Sequence, residues 1–364
     1  LRRTGLYVHN CHGAGWERRE FQQQRKKFWS KRMGGRIGLA SVLVVVLGVG
    51  VARAEPLRIR AAWVAPISDW FSIWLDKKDL AVHYGKSYVL ESVHYNGTPP
   101  MITAMANDEL EIAMLAFSTF PIAVVNAGMD DLRVIADEFQ DGVEGYYSDE
   151  FMVLKDGPIK KVEDLNGKIV ATNAAGSGVD VAMKAMLHKH GLEQNRDYTE
   201  IEAPFPTMLP MLAEKKADLI SGVLPFSLDP ELKKIAAPLF TSRDAIGVTQ
   251  FIMFTARKPF IDKNRAALVD CLEDSLRILR WYMDPKNHDE LQQIAGRLVK
   301  APPERFGWVF TKADEYRDPN MLPNLDALQS NVDLTHELGF VRASFDVKAH
   351  ADLSLIEEAA RRLK

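Results

Sequence analysis

From residue 57 onward the chain alternates short runs rich in β-branched and apolar residues with stretches of helical periodicity, and this alternation narrows the fold more than any other feature. A strand that reaches the next strand through a helix pairs with it in parallel, so the pattern specifies α/β lobes with mainly parallel sheets. Strands are expected at residues 57–64, 88–95, 112–116 and 132–137, and, after a loop at 142–149, in a second series at 168–173, 198–202 and 218–223. Helices are expected behind Ser68 and Asp69, where Trp70, Phe71, Trp74 and Leu75 recur at helical spacing, and behind Thr98-Pro99-Pro100 as far as Asn107. Others open at Phe117-Ser118-Thr119 and close near Gly128, or cover 179–190, 207–217 and 265–283, the last stopping at Asp284-Pro285. Two segments, 151–154 and 250–256, cross between the two series, which is a hinge architecture. Lobe 1 is then 55–150 plus 257–364 with the C-terminal helices, and lobe 2 is 151–256 with the hinge strands.

The first 54 residues read differently. Residues 37–51, IGLASVLVVVLGVGV, carry no charge; Arg36 precedes them and Ala52-Arg53-Ala54 follows. A run this short does not span a bilayer comfortably, but a basic start, an apolar middle and an A-x-A site together make a cleavable secretory signal, with the mature chain starting near Glu55. A signal of ordinary length begins at Met33, so residues 1–32 are expected to lie upstream of the translated product, a genuine basic extension being the alternative. Residues 1–54 hold eleven of the 46 Lys and Arg but two of the 49 Asp and Glu, which leaves the remainder near −12. That balance argues against nucleic-acid binding, which needs a basic footprint. Cys271 is the one cysteine beyond the cleavage site, so neither an intrachain disulfide nor a thiol metal cluster is expected, and no cysteine stands at the cleavage point to carry a lipid anchor. In its helical setting Cys271 reads as a small buried apolar residue.

Open α/β sheets bind ligands beyond the carboxyl ends of their strands, where helix starts converge. Four such places stand out: residues 63–69, Asn96-Gly97-Thr98-Pro99, Phe117-Ser118-Thr119, and Ala175-Gly176-Ser177-Gly178 in the second lobe. Free N–H groups and the helix dipole make a local anion site there without a cationic side chain, although each place taken singly also reads as an ordinary helix cap. Trp63 and Phe117, at strand ends, are candidates for a stacking wall, whereas the spacing of Trp70 and Trp74 suits the core. Tyr146 and Tyr147 offer hydroxyls to a cleft, or lie in an exposed loop. His188-x-His190 has the wrong spacing for two ligands on one helix face, and His336-Glu337 lacks the second histidine of a zinc helix. With no G-x-S-x-G and no phosphate loop, neither a catalytic group nor a metal or cofactor is expected.

The stretch VHYNGTPPMITAMANDELEIAMLAFSTFPIAVVNAGMDDLRVIA, ending at Ala136, together with Val162-Glu163-Asp164-Leu165-Asn166-Gly167-Lys168 and Gly176-Ser177, resembles the nitrate-, sulfonate- and taurine-type solute-binding proteins of ABC importers. The resemblance covers roughly residues 57–259. It implies an α/β two-lobed clamshell of the type II periplasmic-binding-protein class with a helical C-terminal region, which closes on its ligand and is recognised by a membrane permease with its ATPase. By position it places the ligand-facing residues at Trp63 and Pro66, Ser118 and Thr119, Ser177 and Gly178, and Pro206 and Thr207. Phe117-Ser118 replaces a Gly-Asp pair common in such proteins, and the bulkier wall shifts the expected cargo from nitrate to an organic anion: a sulfonate, carboxylate or aromatic acid. The product is expected to be a free periplasmic monomer. Two alternatives are a ligand-sensing protein for a separate receptor and an enzyme like the thiamine-pyrimidine synthases, to which the single cysteine and the signal sequence are poorly suited.

Overall fold

The computed structural model describes residues 55–363, and the expected signal sequence lies outside them. Ten strands form two five-stranded sheets. They are β1 (Leu57–Trp63), β2 (Tyr88–His94), β3 (Ile112–Ala116), β4 (Leu132–Asp141), β5 (Glu150–Leu154), β6 (Lys168–Thr172), β7 (Tyr198–Glu202), β8 (Leu219–Gly222), β9 (Ala236–Thr241) and β10 (Thr249–Arg257). The first sheet has the order β2-β1-β3-β10-β4 and the second β7-β6-β8-β5-β9. This is the expected two-lobed clamshell.

The sheets are mixed rather than mainly parallel. Strand β1 runs parallel to β2 and β3, and β6 parallel to β7 and β8, as helix-linked strands must. Strand β10 is antiparallel to both β3 and β4, and β5 antiparallel to both β8 and β9. The physical reason lies in the chain path: each of these strands enters its sheet from the other lobe through a short crossing, and not through a β-α-β crossover within its own sheet. Both strands expected to cross between lobes therefore lie inside a sheet, and the crossings themselves are the segments 142–149 and 242–248. Strand β9, which contains Pro238, was not expected from the sequence; it is an edge strand, where a missing N–H is tolerated.

Helices α1 (Pro99–Ala106), α2 (Thr119–Pro121, continued by a wider turn over Ile122–Asn126) and α3 (Gly178–Lys189) follow strands β2, β3 and β6. Short helices α4 (Met208–Ala213), α5 (Pro230–Ile235) and α6 (Ser242–Ile246) complete the second lobe. Beyond β10 run α7 (Lys258–Met283), α8 (His288–Val299), α9 (Leu325–Glu337) and α10 (Ser354–Arg362). Residues Trp70–Leu80 form a tight 3-10 helix instead of an α-helix. It is held from outside: Trp74 Nε1 donates to Ser275 Oγ of α7 at 3.0 Å, and Tyr282 of α7 donates its hydroxyl to Ile73 O at 2.6 Å. Trp70 and Trp74 are fully buried, as their spacing suggests. Cys271 is likewise buried in α7.

The segment between α8 and α9 positions the site. Asp137 N donates to Met321 O at 2.8 Å and Gln140 N to Tyr316 O at 2.8 Å, so residues 316–321 lie along the edge of β4. Tyr147 N, in the first crossing, donates to Asp314 O at 3.0 Å. Glu315 and Arg317 are thereby carried to the base of the cleft between the sheets.

Candidate functional site

The lobes meet across the carboxyl ends of β1, β2, β3 and β6. Ser118 Oγ, behind β3, donates to Gly176 O of the second lobe at 2.9 Å, and Asn173 Nδ2 donates to Asn96 O at 3.0 Å. Gly97 and Gly178 are the points of closest approach. A Cβ on Gly97 would stand 2.7 Å from Ala174 Cβ, and one on Gly178 would stand 3.0 Å from Phe251 Cζ and 3.3 Å from Ala116 Cβ. The glycines here serve close approach of backbone from two lobes.

Of the helix starts expected to be capped, Ser177 alone behaves as a cap: its Oγ accepts from Asp180 N and donates to Asn173 Oδ1 at 2.7 Å. The other polar side chains are used differently. Asp69 turns its carboxylate back to accept from Val64 N at 2.5 Å and Ala65 N at 2.8 Å, closing the loop after β1. Thr98 and Thr119 pair through their hydroxyls at 2.6 Å, tying the starts of α1 and α2 together. In the loop after β1, Ile67 adopts φ 75°, a left-handed conformation costly for a β-branched residue; its N–H donates to Ser72 Oγ at 2.8 Å and its side chain is fully buried.

Two adjoining cavities lie between the lobes, and Val64 and Phe205 belong to the walls of both. The inner one encloses about 40 Å³ and takes Ser177 and Gly178 into its wall, with Thr98, Asn173 and the rings of Phe139 and Phe251. The outer one encloses about 240 Å³ and is bounded by Trp63, Pro66, Pro206, His94 and Phe226. Trp63 is fixed there by donating Nε1 to Ser92 Oγ at 2.6 Å, with its ring 4.6 Å from that of His94. Ser177, Gly178, Trp63, Pro66 and Pro206 are thus brought together on cavity walls. Phe117, Ser118 and Thr119 are fully buried behind the inner cavity, Phe117 packing on Phe251 at 5.7 Å between ring centres. Thr207 is exposed and donates to Pro204 O at 2.7 Å. Tyr147 reaches across the cleft base, its hydroxyl 3.0 Å from Gly222 O and 2.7 Å from Ser227 Oγ, while Tyr146 packs edge-on against Tyr316.

Sequence reasoning missed the acidic floor. Asp69, Asp149 and Glu315 are all buried and all line the inner cavity, with Glu138, Asp141 and Asp314 buried nearby. Burial drives the Asp69 carboxyl up to about 6, against the pull of its two N–H donors, and drives Asp149, Glu138 and Glu315 well above the usual range, neighbouring carboxylates adding to the effect. Arg317 is the buried base beside them; it sits 2.8 Å from Asp314 Oδ2 and donates to Ser68 O at 2.7 Å. Among the described residues no Lys or Arg lines either cavity. Nor is the start of α3 an open anion site, since Asp180 takes the Gly176 N–H at 2.7 Å and is itself held by Lys184 at 2.9 Å. The Asp314-Glu315-Tyr316-Arg317-Asp318 run was the available signal, but it sits in the tail, whose path back to the cleft is a tertiary fact.

One group elsewhere has donors spaced for a metal: His83, Asp270 and Glu273. Arg362 lies 2.9 Å from Asp270 and Arg277 2.6 Å from Glu273, so both carboxylates are already neutralised in an ion-pair network joining α7 and α10.

No curated protein sequence matches the chain. Among solved structures, the alkanesulfonate-binding protein of Xanthomonas axonopodis pv. citri bound to MOPS is similar over 82% of this chain and 99% of its own, with a TM-score of 0.66 at 15% identity. The periplasmic nitrate-binding protein of Synechocystis PCC 6803 is similar over 85% of this chain and 90% of its own, at a TM-score of 0.66 and 16% identity. A desulfurization enzyme covers 85% of this chain and 100% of its own, at 0.60 and 11%. These likenesses establish the fold, one that holds binding proteins and an enzyme alike. The model of the NMT1-like family matches residues 53–296, a span that takes in both sheets and every loop bounding the two cavities except the one carrying Glu315, and the chain belongs to that family.

Proposed function

We propose that the chain is the solute-binding component of an ABC importer, which captures a small organic molecule between its lobes and hands it to an inner-membrane permease served by an ATPase. The observation that carries this reading is the pair of cavities enclosed where two lobes touch through Ser118 with Gly176 and Asn173 with Asn96. On this reading those contacts belong to the closed form, so a ligand that bridges the lobes stabilises it, and a permease that reads the closed form reads occupancy. On this reading the protein works in the periplasm as a monomer, freed by removal of its signal sequence. Cys271, buried in α7 and absent from both cavity walls, supports binding rather than thiol catalysis.

The cargo suggested by the sequence was an organic anion, with its acidic group at Ser118-Thr119 and Ser177-Gly178 and its body on Trp63 and Phe117. The organic body suits the outer cavity, where Trp63 forms a wall. The negative charge is poorly suited to the inner cavity, where it would meet Asp69, Asp149 and Glu315.

The test is thermal unfolding of the purified protein against sulfonates, carboxylates, nitrate, bicarbonate, amines and thiamine precursors, followed by uptake of any hit in cells with and without the gene. A ligand selective for the folded state raises the midpoint by mass action. Capture is refuted if no class shifts the midpoint, and delivery is refuted if uptake of the hit is the same in the deleted strain.

A further inference from the structure

We infer, building on that capture reading, that the solute is a small organic cation whose protonated amine or amidine enters the inner cavity and whose uncharged body fills the outer one. The inner wall carries three buried carboxylates, Asp69, Asp149 and Glu315. Asp69 is satisfied by its two backbone donors. Asp149 is not: its Oδ1 is buried with no hydrogen-bond partner, and Glu315, whose Oε1 accepts from Ser68 Oγ at 3.0 Å, has no hydrogen bond to Oε2. Burial holds their protons on, and a cationic head group in the cavity supplies the counter-charge against which they ionise and pair. Arg317 completes Glu315 in part, its guanidinium standing 3.6 Å from Oε2 while it is held more closely by Asp314 and donates to Ser68 O, whereas among the described residues no base pairs with Asp149.

The apolar part of the inner wall points the same way. Phe139 and Phe251, which stack at 5.6 Å between centres, and Phe205 all line the cavity, so aromatic rings stand beside the carboxyl groups. Aromatic faces attract an ammonium or guanidinium-like group and repel an anion. With about 40 Å³, the inner cavity admits a head group of few atoms. The outer cavity, with about 240 Å³ and no carboxylate, Lys or Arg in its wall among the described residues, is suited to a flat uncharged body against Trp63 and Phe226.

The test is calorimetric titration of the purified protein with probes that share a phenyl body and differ in charge: benzamidine and phenethylamine, neutral benzamide, and benzoate and benzenesulfonate. The cations are expected to bind at least tenfold more tightly than either anion. Asp149→Asn and Glu315→Gln, singly and together, keep the shape and remove the charge; the double variant is expected to lose tenfold or more in cation affinity while its unfolding stays cooperative at an unchanged or raised midpoint. Tighter binding of the anions, or a double variant that holds the cations as well as the parent, overturns the charge assignment and leaves capture standing. Failure of every probe to bind the folded protein overturns the cation assignment and leaves capture to the wider panel of solutes.

Discussion

Replacing Gly97 by alanine should weaken ligand binding without weakening the fold. Gly97 lies outside the left-handed backbone region, so alanine introduces no backbone strain in the first lobe. Its new methyl would stand 2.7 Å from Ala174 Cβ and 3.2 Å from Asn173 Nδ2, both on the other lobe, against an ordinary carbon–carbon contact of about 3.5–4.0 Å. The lobes must part by about 1 Å at this point, which strains or breaks the two hydrogen bonds beside it, from Asn173 to Asn96 and from Ser118 to Gly176. At about 0.5–1.5 kcal/mol each, their loss removes about 1–3 kcal/mol from the closed form alone. Because the ligand bridges the closed lobes, that difference appears as roughly 5- to 150-fold weaker binding. Titration of the parent and the variant with the solute that most raises the parent's midpoint measures the affinity, and thermal unfolding without ligand measures the fold. Equal affinities would refute the argument that contact at Gly97 is a condition of closure, and a collapse of the ligand-free midpoint would show that the steric effect falls inside one lobe.

Two further outcomes follow from buried groups. Burial raises Asp69 to about 6 and Asp137 and Asp141 to about 7, so each binds its proton more tightly in the folded than in the unfolded chain. Their folded forms are uncharged and unpenalised at about pH 4, and stability is lost as pH rises through 6 to 7, at about 1.4 kcal/mol per unit of displacement. The urea midpoint of the ligand-free protein should therefore be higher at pH 5.5 than at pH 8; His350, whose ring is lowered by burial, opposes this as a single group, and a flat or rising profile would refute the assignment. Cys271, buried and with its thiol pushed up by desolvation, should resist an aromatic disulfide reagent in the native protein and react on denaturation, whereas fast native reaction would contradict its burial in α7.

Much of the architecture was legible before any tertiary information. Strands β1, β2, β3, β6 and β7 lie within a residue of the positions read from the sequence, because each is a short run rich in apolar, β-branched or aromatic residues bounded by turn or helix signals. The runs Trp63 to Asp69 and Ala175 to Gly178 were placed at the cleft by the rule that loops after parallel strands face a common edge, and both contribute to the inner or outer wall. The same reasoning misjudged what Ser68, Asp69, Thr98 and Ser118 do, since a hydroxyl or carboxylate at a helix start caps the helix when nothing else competes. Here other donors and acceptors do compete: the N–H groups of the β1 loop, a threonine on a neighbouring helix, and a carbonyl on the other lobe.

Local pattern by itself determined the elements, their succession and the division into two α/β lobes, because hydrophobic period and turn chemistry act over a few residues. Only the tertiary structure decided the antiparallel insertion of β5 and β10 and the electrostatic character of the inner cavity. Asp69, Asp149 and Glu315 come from three segments far apart in sequence; Asp69 alone reads as a helix cap, and the other two as exposed acids, as most carboxylates are. Their charge acquires its meaning from shared burial, and burial is a property of the packed molecule, set by where residues 311–323 fold back along β4.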